Sequence, residues 1–312
     1  MAADVQFPLC KHMSPIVYLN GEFCDPAEAR VSLLDRGYLL GDSIFETLRG
    51  YGGVPFRLRQ HLDRLCRGAD VLGIALPKNR DEIAGLLGEA LRRSGQEETT
   101  SRITISRGEG GHGISPRGCD HPVLSIIVRP VEGYPEEAYR RGIRSKIVTP
   151  RRIPAACLDP TIKCGNYLPS IQARRELDSD GMIEGVQLGI DGQVVCGSVS
   201  NVFLVSGNRL RTPDLRSGCL PGITRAAVLE IAAEAELEPM EERIEPDDLT
   251  AADEMFFTNT IMECLPVAQI GSHHFAESPG PATLAIHAAL RKLIGRETAD
   301  TKKNKGGTCP RR

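Results

Sequence analysis

The stretch TIKCGNYL at residues 161–168 decides how the rest of the sequence is interpreted. It carries Lys163 among small and apolar neighbours, whereas the other lysines of the chain lie in basic or polar surroundings. Burial destabilises the charged form of an amine, and a neutral amine is the nucleophile that forms an imine with a carbonyl compound. On its own, however, the stretch favours a lysine that packs its aliphatic stem along a strand edge and keeps its amine in water.

Other motifs on both sides of Lys163 change that interpretation. They are, in chain order, DRG at 35–37, GDSIFET at 41–47, HLDRL at 61–65, SVSNVF at 198–203, LPGITR at 220–225 and TNT at 258–260. Together with the lysine segment they resemble the class IV (fold-type IV) pyridoxal-phosphate (PLP) enzymes over nearly the whole chain, from about Val17 to about Leu293. This family contains branched-chain aminotransferases, D-amino-acid aminotransferases, (R)-amine transaminases and aminodeoxychorismate lyases.

The resemblance implies pyridoxal 5'-phosphate as the cofactor and gives roles to single residues. Lys163 would hold the cofactor through an imine and later move a proton on it. Arg64 would bind the cofactor phosphate, because a guanidinium can grip it with two hydrogen bonds. Local sequence alone favours another role for Arg64, as a solvent-facing partner of Asp63 or Asp70.

Ile223 and Thr224 begin a predicted helix, and the resemblance implies that their backbone N–H groups and the Thr224 hydroxyl bind the phosphate. A plain threonine cap at the helix start is compatible with that role. Thr260 would add a further hydroxyl to the phosphate site, and Tyr167 would lie near the phenolic oxygen of the cofactor. The simpler alternative for both is a hydroxyl that only satisfies its own hydrogen bonds. Cofactor contacts are also implied for Cys196, Asn201 and Leu220.

Cys196 departs from the family pattern. The family places a glutamate, which contacts the pyridine nitrogen, just before a Gly-x-x-x-Asn stretch, and aligning on Gly197 and Asn201 puts Cys196 there. A carboxylate keeps the nitrogen protonated, whereas a buried thiol resists ionisation. The hypothesis is a largely unprotonated nitrogen, with slower or more concerted amino transfer, or elimination instead. Two alternatives are a contact from Glu184 or another acid in a shifted register, and a weakly active paralogue.

Substrate recognition is less well defined by the sequence. Arg102 aligns roughly with a family arginine that lies beside the substrate carboxylate. Arg107 and His112 stand in or beside the GEGGHG loop at 108–113, and they are further candidates for carboxylate recognition. For each of these residues alone, a solvated loop is an equally good interpretation.

The same loop satisfies the G-x-G-x-x-G pattern of dinucleotide-binding proteins and follows a predicted strand. A dinucleotide site needs a helix directly after the glycines, because the helix N-terminus binds the pyrophosphate. Here the sequence continues as ISPRG at 114–118, which is typical of a loop. The pattern therefore does not indicate nucleotide binding, and a part in substrate selection is the better interpretation.

Composition limits the class of protein. The chain has 312 residues, of which 41% are hydrophobic and 25% charged, and its net charge is −3. No basic field indicates a nucleic-acid partner, and no run of about 20 apolar residues predicts a membrane helix. The ten cysteines include no C-x-x-C pair, so we expect neither a metal site nor a disulfide framework. Without a signal peptide in residues 1–13, these features predict a cytoplasmic protein.

The element pattern predicts an α/β (α+β) protein of two domains, which is the fold-type IV architecture that the resemblance implies. We expect a small N-terminal α/β domain at residues 1–130, a linker at 131–136 and a larger, mixed α/β PLP-binding domain at 137–296. Residues 297–312 predict a disordered basic tail. Hairpins are expected at Asn20-Gly21 and Gly52-Gly53, and amphipathic helices at 58–72 and 81–93.

The sequence therefore predicts a PLP-dependent aminotransferase that moves an amino group from a branched-chain-like or D-amino acid to a 2-oxo acid. The alternative is a 4-amino-4-deoxychorismate lyase that releases pyruvate and 4-aminobenzoate. A third hypothesis is a protein that binds PLP without useful turnover. The resemblance also implies a homodimer or a larger homo-oligomer.

Overall fold

The computed structural model describes residues 14–111 and 113–306, with side chains described as far as residue 302. Its described residues divide into two compact units. The N-terminal unit contains residues 14–132, the short segment 162–166 and the residues from 294 onward. The C-terminal unit contains residues 133–161 and 167–293. The five-residue segment 162–166, which includes Lys163, thus belongs to the N-terminal unit although the chain has already entered the other one.

The N-terminal unit is built on a six-stranded antiparallel sheet in the order β2-β1-β6-β5-β3-β4. The strands are β1 Ile16–Leu19, β2 Glu22–Cys24, β3 Ser43–Tyr51, β4 Val54–Pro55, β5 Thr99–Ser106 and β6 Val123–Pro130. The helices are α1 Arg36–Leu40, α2 Leu58–Leu72 and α3 Arg80–Ser94. Helix α2 packs on β3, and α3 packs on β1 and β6.

Local sequence explains most of these elements. Asn20 and Gly21 have φ angles of 45° and 125°, which the two-residue turn of the first hairpin requires. The Gly52-Gly53 hairpin is also confirmed. Helix α2 buries one stripe of side chains, including Leu62 and Leu65, against the sheet, as its period predicts.

The C-terminal unit contains a mixed sheet in the order β12-β11-β10-β13-β14-β15, with β7 pairing in parallel with β14, and a separate β8-β9 ladder. The strands are β7 Ile143–Ser145, β8 Val186–Leu188, β9 Val194–Gly197, β10 Asn201–Ser206, β11 Arg209–Pro213, β12 Glu238–Glu242, β13 Glu254–Asn259, β14 Glu263–Ile270 and β15 His273–His274. The helices are α4 Glu136–Arg141, α5 Leu168–Ser179, α6 Ile223–Ile231, α7 Asp248–Ala251 and α8 Pro281–Gly306, with single 3-10 turns at Leu215–Ser217 and Ala232–Ala235.

The core of the C-terminal unit lies on the apolar strands β10, β13 and β14. Phe203 and Phe256 are opposite each other in the β10-β13 register, and their rings stack with centroids 5.1 Å apart. The neighbouring residues Val202 and Phe257 are also fully buried, so both faces of this part of the sheet are covered. The sequences of β10 and β13 have consecutive apolar residues, as expected for strands that are buried on both faces.

The C-terminal end of the chain differs from the sequence prediction. Residues 297–306 are helical where a disordered tail was expected, because α8 continues to Gly306. The segment ETADTKKNKG at 297–306 has no apolar stripe, so hydrophobic periodicity alone does not predict this helical stretch. Residues 307–312 lie outside the described part of the chain.

None of the helices in the described residues combines the length and the hydropathy needed to cross a bilayer.

Candidate functional site

The lysine segment is held against strand β3 by backbone hydrogen bonds. Phe45 N donates to Lys163 O at 2.9 Å, and Gly165 N donates to Ser43 O at 2.9 Å. These bonds are those of a short antiparallel pair, so the segment extends the sheet beside the first residues of β3. The backbone of Lys163 is therefore fixed by the sheet and not left in a free loop.

Close approach in this pair depends on Gly165. A Cβ atom at this position would lie 2.7 Å from Ser43 Oγ and 3.0 Å from the carbonyl oxygen of Gly41. The backbone of the lysine segment can approach β3 this closely only because residue 165 has no side chain. Gly165, two residues after Lys163, thus allows the lysine segment to pack against β3.

The side chain of Lys163 lies over an aromatic ring that also contacts Arg102. Lys163 Nζ is 4.7 Å from the centroid of the buried Phe45 ring, and the Arg102 guanidinium carbon is 3.6 Å from the same centroid. Lys163 itself is half-buried, and Arg102 is exposed. Aromatic rings attract cations through their quadrupole. The structure therefore brings the predicted catalytic residue and a predicted substrate-binding residue to one ring.

Arg64 lies in a buried network that the sequence analysis did not foresee. Its Nε donates to Glu46 Oε1 at 2.6 Å, and its Nη2 donates to Glu46 Oε2 at 2.8 Å. His61 Nδ1 lies 2.7 Å from Glu46 Oε2. Asp63, one expected partner, instead accepts a hydrogen bond from Arg80 at 2.6 Å. Arg64 is thus a buried and firmly oriented cation, and the solvent-facing role is not what the structure shows.

The charges of this network follow from burial and hydrogen bonding. Burial by itself would raise the pKa of Glu46, but the hydrogen bonds from Arg64 and then from His61 outweigh it and lower that pKa to about 2. Burial also lowers the pKa of His61, although Glu46 opposes that shift. Glu46 is therefore ionised and His61 uncharged at neutral pH. The carboxylate fixes the Arg64 guanidinium in the same unit that carries Lys163.

Arg107 is committed to the protein itself. It donates through Nε to Asp42 Oδ2 at 2.7 Å, through Nη1 to the Gly73 carbonyl at 2.8 Å and through Nη2 to the Leu72 carbonyl at 2.8 Å. The last two bonds satisfy carbonyl groups at the C-terminal end of α2. This geometry assigns Arg107 to holding the fold, which differs from the expected carboxylate recognition. His112, the third substrate candidate, lies outside the described residues.

Helix α6 offers an open N-terminus. It begins at Ile223 with Gly222 as its N-cap, and glycine has no side chain to occupy the first N–H groups. Thr224 is buried in the first turn. Free N–H groups and the positive end of the helix dipole suit an anion such as a phosphate. The residues present therefore fit the phosphate role that the sequence implies.

Asn201 braces the turn that leads to this helix. Its Nδ2 donates to the Leu220 carbonyl at 3.0 Å, and its Oδ1 lies so close to Gly222 that a Cβ atom there would be 2.1 Å away. Asn201 thus stabilises the Leu220-Pro221-Gly222 turn through contacts with its first and last residues. The structure shows a bracing contact for this residue, and the cofactor contact that the resemblance implies stays a prediction.

Cys196 is a buried thiol on β9. Burial raises its pKa to about 12, although the charge of Arg152 acts in the opposite direction, so the thiol stays protonated at neutral pH. It packs with Val195 and with Cys219, the residue directly before Leu220. Cys196 therefore adjoins the segment that leads to α6, and it brings no negative charge there.

Glu184, the alternative carboxylate in a shifted register, is bound by two serines. Its Oε1 accepts hydrogen bonds from Ser198 N at 2.8 Å and from Ser198 Oγ at 2.5 Å, and its Oε2 accepts from Ser200 Oγ at 2.9 Å. The carboxylate is fully buried and braces the turn at 197–200. The contacts seen for Glu184 are thus structural, and its contact with the cofactor stays a prediction.

The remaining predicted residues lie in the C-terminal unit at element ends. Tyr167 immediately precedes α5, and Thr260 follows β13 in a turn; both are half-buried. Sequence reasoning missed Glu46, His61 and the fully buried Gln187. For Glu46 and Gln187, a charged or amide residue within an otherwise apolar run is the signal that could have found them. No group of histidine, cysteine and carboxylate side chains suited to a metal ion occurs among the described residues.

Comparison with known proteins is consistent across sequence and structure. Residues 43–270 match the family model described as amino-transferase class IV. A protein of Methanocaldococcus jannaschii, provisionally assigned as a branched-chain-amino-acid aminotransferase, is 38% identical over 254 residues, covering 81% of this chain and 87% of its own. The aminodeoxychorismate lyase of Bacillus subtilis (strain 168) is 32% identical over 282 residues, covering 89% and 94%. The crystal structure of the Escherichia coli branched-chain amino acid aminotransferase matches with a TM-score of 0.86 at 29% identity, covering 90% and 95%.

Proposed function

From its membership of the class IV aminotransferase family, to which this chain belongs, we propose that it is an aminotransferase that uses pyridoxal 5'-phosphate to move an amino group from an amino acid to a 2-oxo acid. The observation that carries the proposal is the docking of the lysine segment on β3, with the Lys163 amine and Arg102 at the Phe45 ring. That arrangement supports the proposal, because an amine and a guanidinium, the groups suited to imine formation and carboxylate recognition, lie at one ring in one unit.

When bound, the cofactor supplies an electron-withdrawing ring that makes a proton on the amino acid's α-carbon removable. Lys163 holds the cofactor covalently through its amine and, once released, takes and returns that proton. The fixed backbone of the segment sets the point from which the Lys163 side chain extends, and its amine lies at the Phe45 ring in the structure. A positioned amine needs no large rearrangement between binding and proton transfer.

In the C-terminal unit, the proposed phosphate-binding groups are the N–H groups of Ile223 and Thr224 at the start of α6 and the hydroxyl of Thr260. In the N-terminal unit, the resemblance supports a phosphate-binding role for Arg64, whose orientation is set by Glu46. Tyr167 and Leu220 complete the proposed contacts with the cofactor ring.

Arg102 is the proposed partner of the substrate carboxylate. It is exposed, its Nε donates to Thr104 Oγ1 at 3.2 Å, and it lies on the ring that Lys163 also contacts. A guanidinium recognises a carboxylate through paired hydrogen bonds. The proposed donors are branched-chain-like or D-amino acids, a choice supported by the names of the relatives and settled only by assay.

A homodimer or larger homo-oligomer is proposed from the surface around α1. Leu33, Leu34, Tyr38 and Leu39 are 72%, 62%, 71% and 56% exposed within a single short segment. Adjacent large apolar side chains of this kind mark association surfaces more often than open surface.

Cytoplasmic location is proposed on the cysteine usage, since the eight cysteines among the described residues are free thiols.

The function is tested by the visible absorbance of the protein mixed with pyridoxal 5'-phosphate. We expect a lysine-bound absorbance band that Lys163→Ala lacks and that Lys78→Ala, a change at an exposed lysine, retains. One enantiomeric series of amino acids should bleach the band, and 2-oxoglutarate should restore it. Absence of the band in the unaltered protein contradicts the proposal.

The lyase remains the second candidate because the Bacillus subtilis relative is an aminodeoxychorismate lyase and Cys196 brings no carboxylate to the ring. Aminodeoxychorismate is therefore assayed in parallel, with pyruvate as the readout. Pyruvate release together with a band that no amino acid bleaches would replace the aminotransferase by the lyase. A band inert to both kinds of substrate would instead indicate a binding protein.

A further inference from the structure

Gln187 lies directly opposite Cys196 in the β8-β9 ladder. The two residues are Cα partners in an antiparallel register, with an irregularity immediately after Gln187. Partners in such a register project to the same face of the ladder, with their Cβ atoms about 5 Å apart. The side chain of Gln187 therefore lies on the same face of the ladder as the Cys196 thiol, and it is the longer of the two.

That face adjoins the segment assigned to the cofactor. Cys196 packs on Cys219, which is followed directly by Leu220 and, three residues later, by Ile223 at the start of α6. Leu220 and Ile223, the residues proposed to hold the cofactor, would thus hold it on the segment that packs through Cys219 on Cys196, the strand partner of Gln187. This relation involves only residues of the C-terminal unit.

The Gln187 side chain is incompletely hydrogen-bonded. The residue is 0% exposed, and its Oε1 is buried with no hydrogen-bond donor. Its Nε2 donates to the Pro150 carbonyl over 3.4 Å, which orients the amide with the oxygen as the remaining group. A buried acceptor without a donor is costly, and proteins keep such atoms where a ligand satisfies them.

No other group described near this face is an available hydrogen-bond acceptor for the ring nitrogen of the cofactor. The Cys196 thiol is protonated, Glu184 is bound by Ser198 and Ser200, and Arg152 is the positive charge that acts on Cys196. The charges of Arg152 and Glu184 act on Cys196 in opposite directions, and the Glu184 carboxylate is already bound by the two serines. The uncharged Gln187 oxygen is thus the acceptor that the geometry offers.

We propose that Gln187 Oε1 accepts a hydrogen bond from the protonated pyridine nitrogen of the cofactor and takes the position that a carboxylate would otherwise fill. The inference rests on the proposed function, because it assumes that the chain binds this cofactor. A neutral amide stabilises the protonated ring less than a carboxylate does, so the nitrogen loses its proton at a lower pH. Gln187 is in this sense a residue that tunes how strongly the ring withdraws electrons.

The test uses the holoprotein loaded with cofactor that is ¹⁵N-labelled in the ring, and follows the nitrogen resonance with pH. Gln187→Leu should lower the midpoint of the titration, and Gln187→Glu should raise it by at least one pH unit. Cys196→Ala should leave the midpoint where it is. A midpoint that moves with Cys196→Ala and ignores both Gln187 variants overturns the proposal.

Cofactor affinity and stability provide a second readout. Gln187→Leu should weaken cofactor binding about 2- to 10-fold, the worth of one hydrogen bond, while raising the melting temperature of the cofactor-free protein because the unsatisfied oxygen is gone. Gln193→Leu is the matched control, since Gln193 Oε1 is also buried without a donor, in the turn between the same strands. We expect that control to stabilise the protein without changing affinity.

Equal affinity for Gln187→Leu and Gln193→Leu, with an unchanged nitrogen resonance, would show that water serves the Gln187 oxygen and that the proposal is wrong. The proposed function would survive that result as long as the lysine-bound absorbance band is present. If the unaltered protein shows no such band, the function itself fails, and the two failures are thus distinguished.

Discussion

Glu46 and Arg64 form a buried ion pair with two parallel contacts, Nε to Oε1 at 2.6 Å and Nη2 to Oε2 at 2.8 Å. The carboxylate is fully buried, and it is shared with His61. Two-contact geometry fixes the plane of a guanidinium as well as its position. The orientation of a proposed phosphate-binding cation is therefore set by strand β3, the same strand on which the lysine segment is docked.

Glu46→Gln should destabilise the protein by about 3 kcal/mol, because it leaves the Arg64 cation buried without its counter-charge. Urea unfolding monitored by circular dichroism measures the change. Glu98→Gln is the matched control, since Glu98 pairs with Arg49 at the surface and should cost less than about 1 kcal/mol. Equal effects of the two substitutions would mean that the buried pair contributes no more than a surface pair.

The same pair gives a defined acid dependence. The pKa of Glu46 is lowered from 4.5 to about 2 in the folded protein, so the unfolded chain binds the proton more readily. This contribution is complete above pH 4.5 and is lost as the pH falls toward 2. The unfolding free energy should therefore decline more steeply over this window in the unaltered protein than in Glu46→Gln. Parallel pH profiles for the two proteins would contradict the assigned shift.

Arg107→Met should reduce stability by about 3 kcal/mol, because it removes three hydrogen bonds from a buried cation to Asp42, Leu72 and Gly73. The folded fraction should keep an unchanged KM. Arg92→Met provides the comparison, since Arg92 is an exposed helix residue and should change stability by less than about 0.5 kcal/mol. A raised KM in a fully folded Arg107→Met protein would restore the substrate-binding role.

Arg102→Met should have the opposite profile. Stability should hardly change, because the side chain is exposed, but KM for the amino donor should rise about 10- to 100-fold through loss of the carboxylate partner. Steady-state kinetics measure the effect. Arg129→Met, at an exposed arginine on the adjacent strand β6, should leave KM unchanged. If both variants raise KM alike, general positive charge and not Arg102 itself recognises the substrate.

Gly222→Ala should weaken cofactor binding, because its new Cβ atom would stand 2.1 Å from Asn201 Oδ1 and displace the turn before α6. We expect a loss of at least about 10-fold in affinity, measured by titrating the protein with pyridoxal 5'-phosphate. Gly85→Ala is a suitable control, since nothing lies within 4 Å of its added Cβ in helix α3. That substitution should stabilise the protein by up to about 1 kcal/mol. Unchanged cofactor affinity in Gly222→Ala would exclude the turn from the phosphate site.

Local patterns explain which parts of this fold could be predicted. The Asn20-Gly21 turn and the apolar stripe of α2 are determined by residues that are close together in the sequence, and both predictions are confirmed. The partners of Arg64 and Arg107 could not be found in this way. Glu46 is 18 residues from Arg64 along the chain, and the carbonyl acceptors of Arg107 lie 34 and 35 residues away. Such contacts depend on how elements pack, which periodicity does not encode.

In the candidate site, too, local sequence predicts some features and the packing of distant elements determines the others. Lys163 was identified from its sequence surroundings and from the resemblance, but its attachment to β3 required the structure. The departure at Cys196 was visible in the alignment of motifs, whereas Gln187 opposite to it became apparent only through the strand register. The helical end of α8 could not be predicted from hydrophobic periodicity, because residues 297–306, ETADTKKNKG, contain no large apolar side chain.

The attachment of residues 162–166 to strand β3 bears on how such proteins can be recombined. A chimera that joins the first 132 residues of one family member to the remainder of another receives its lysine from the second parent and the docking strand from the first. Its success would depend on whether five borrowed residues fit Ser43 and Gly41, where a single methyl group at position 165 is already too large. Crossover points that keep strand and segment from one parent should therefore give far more functional hybrids than a simple cut between the two halves.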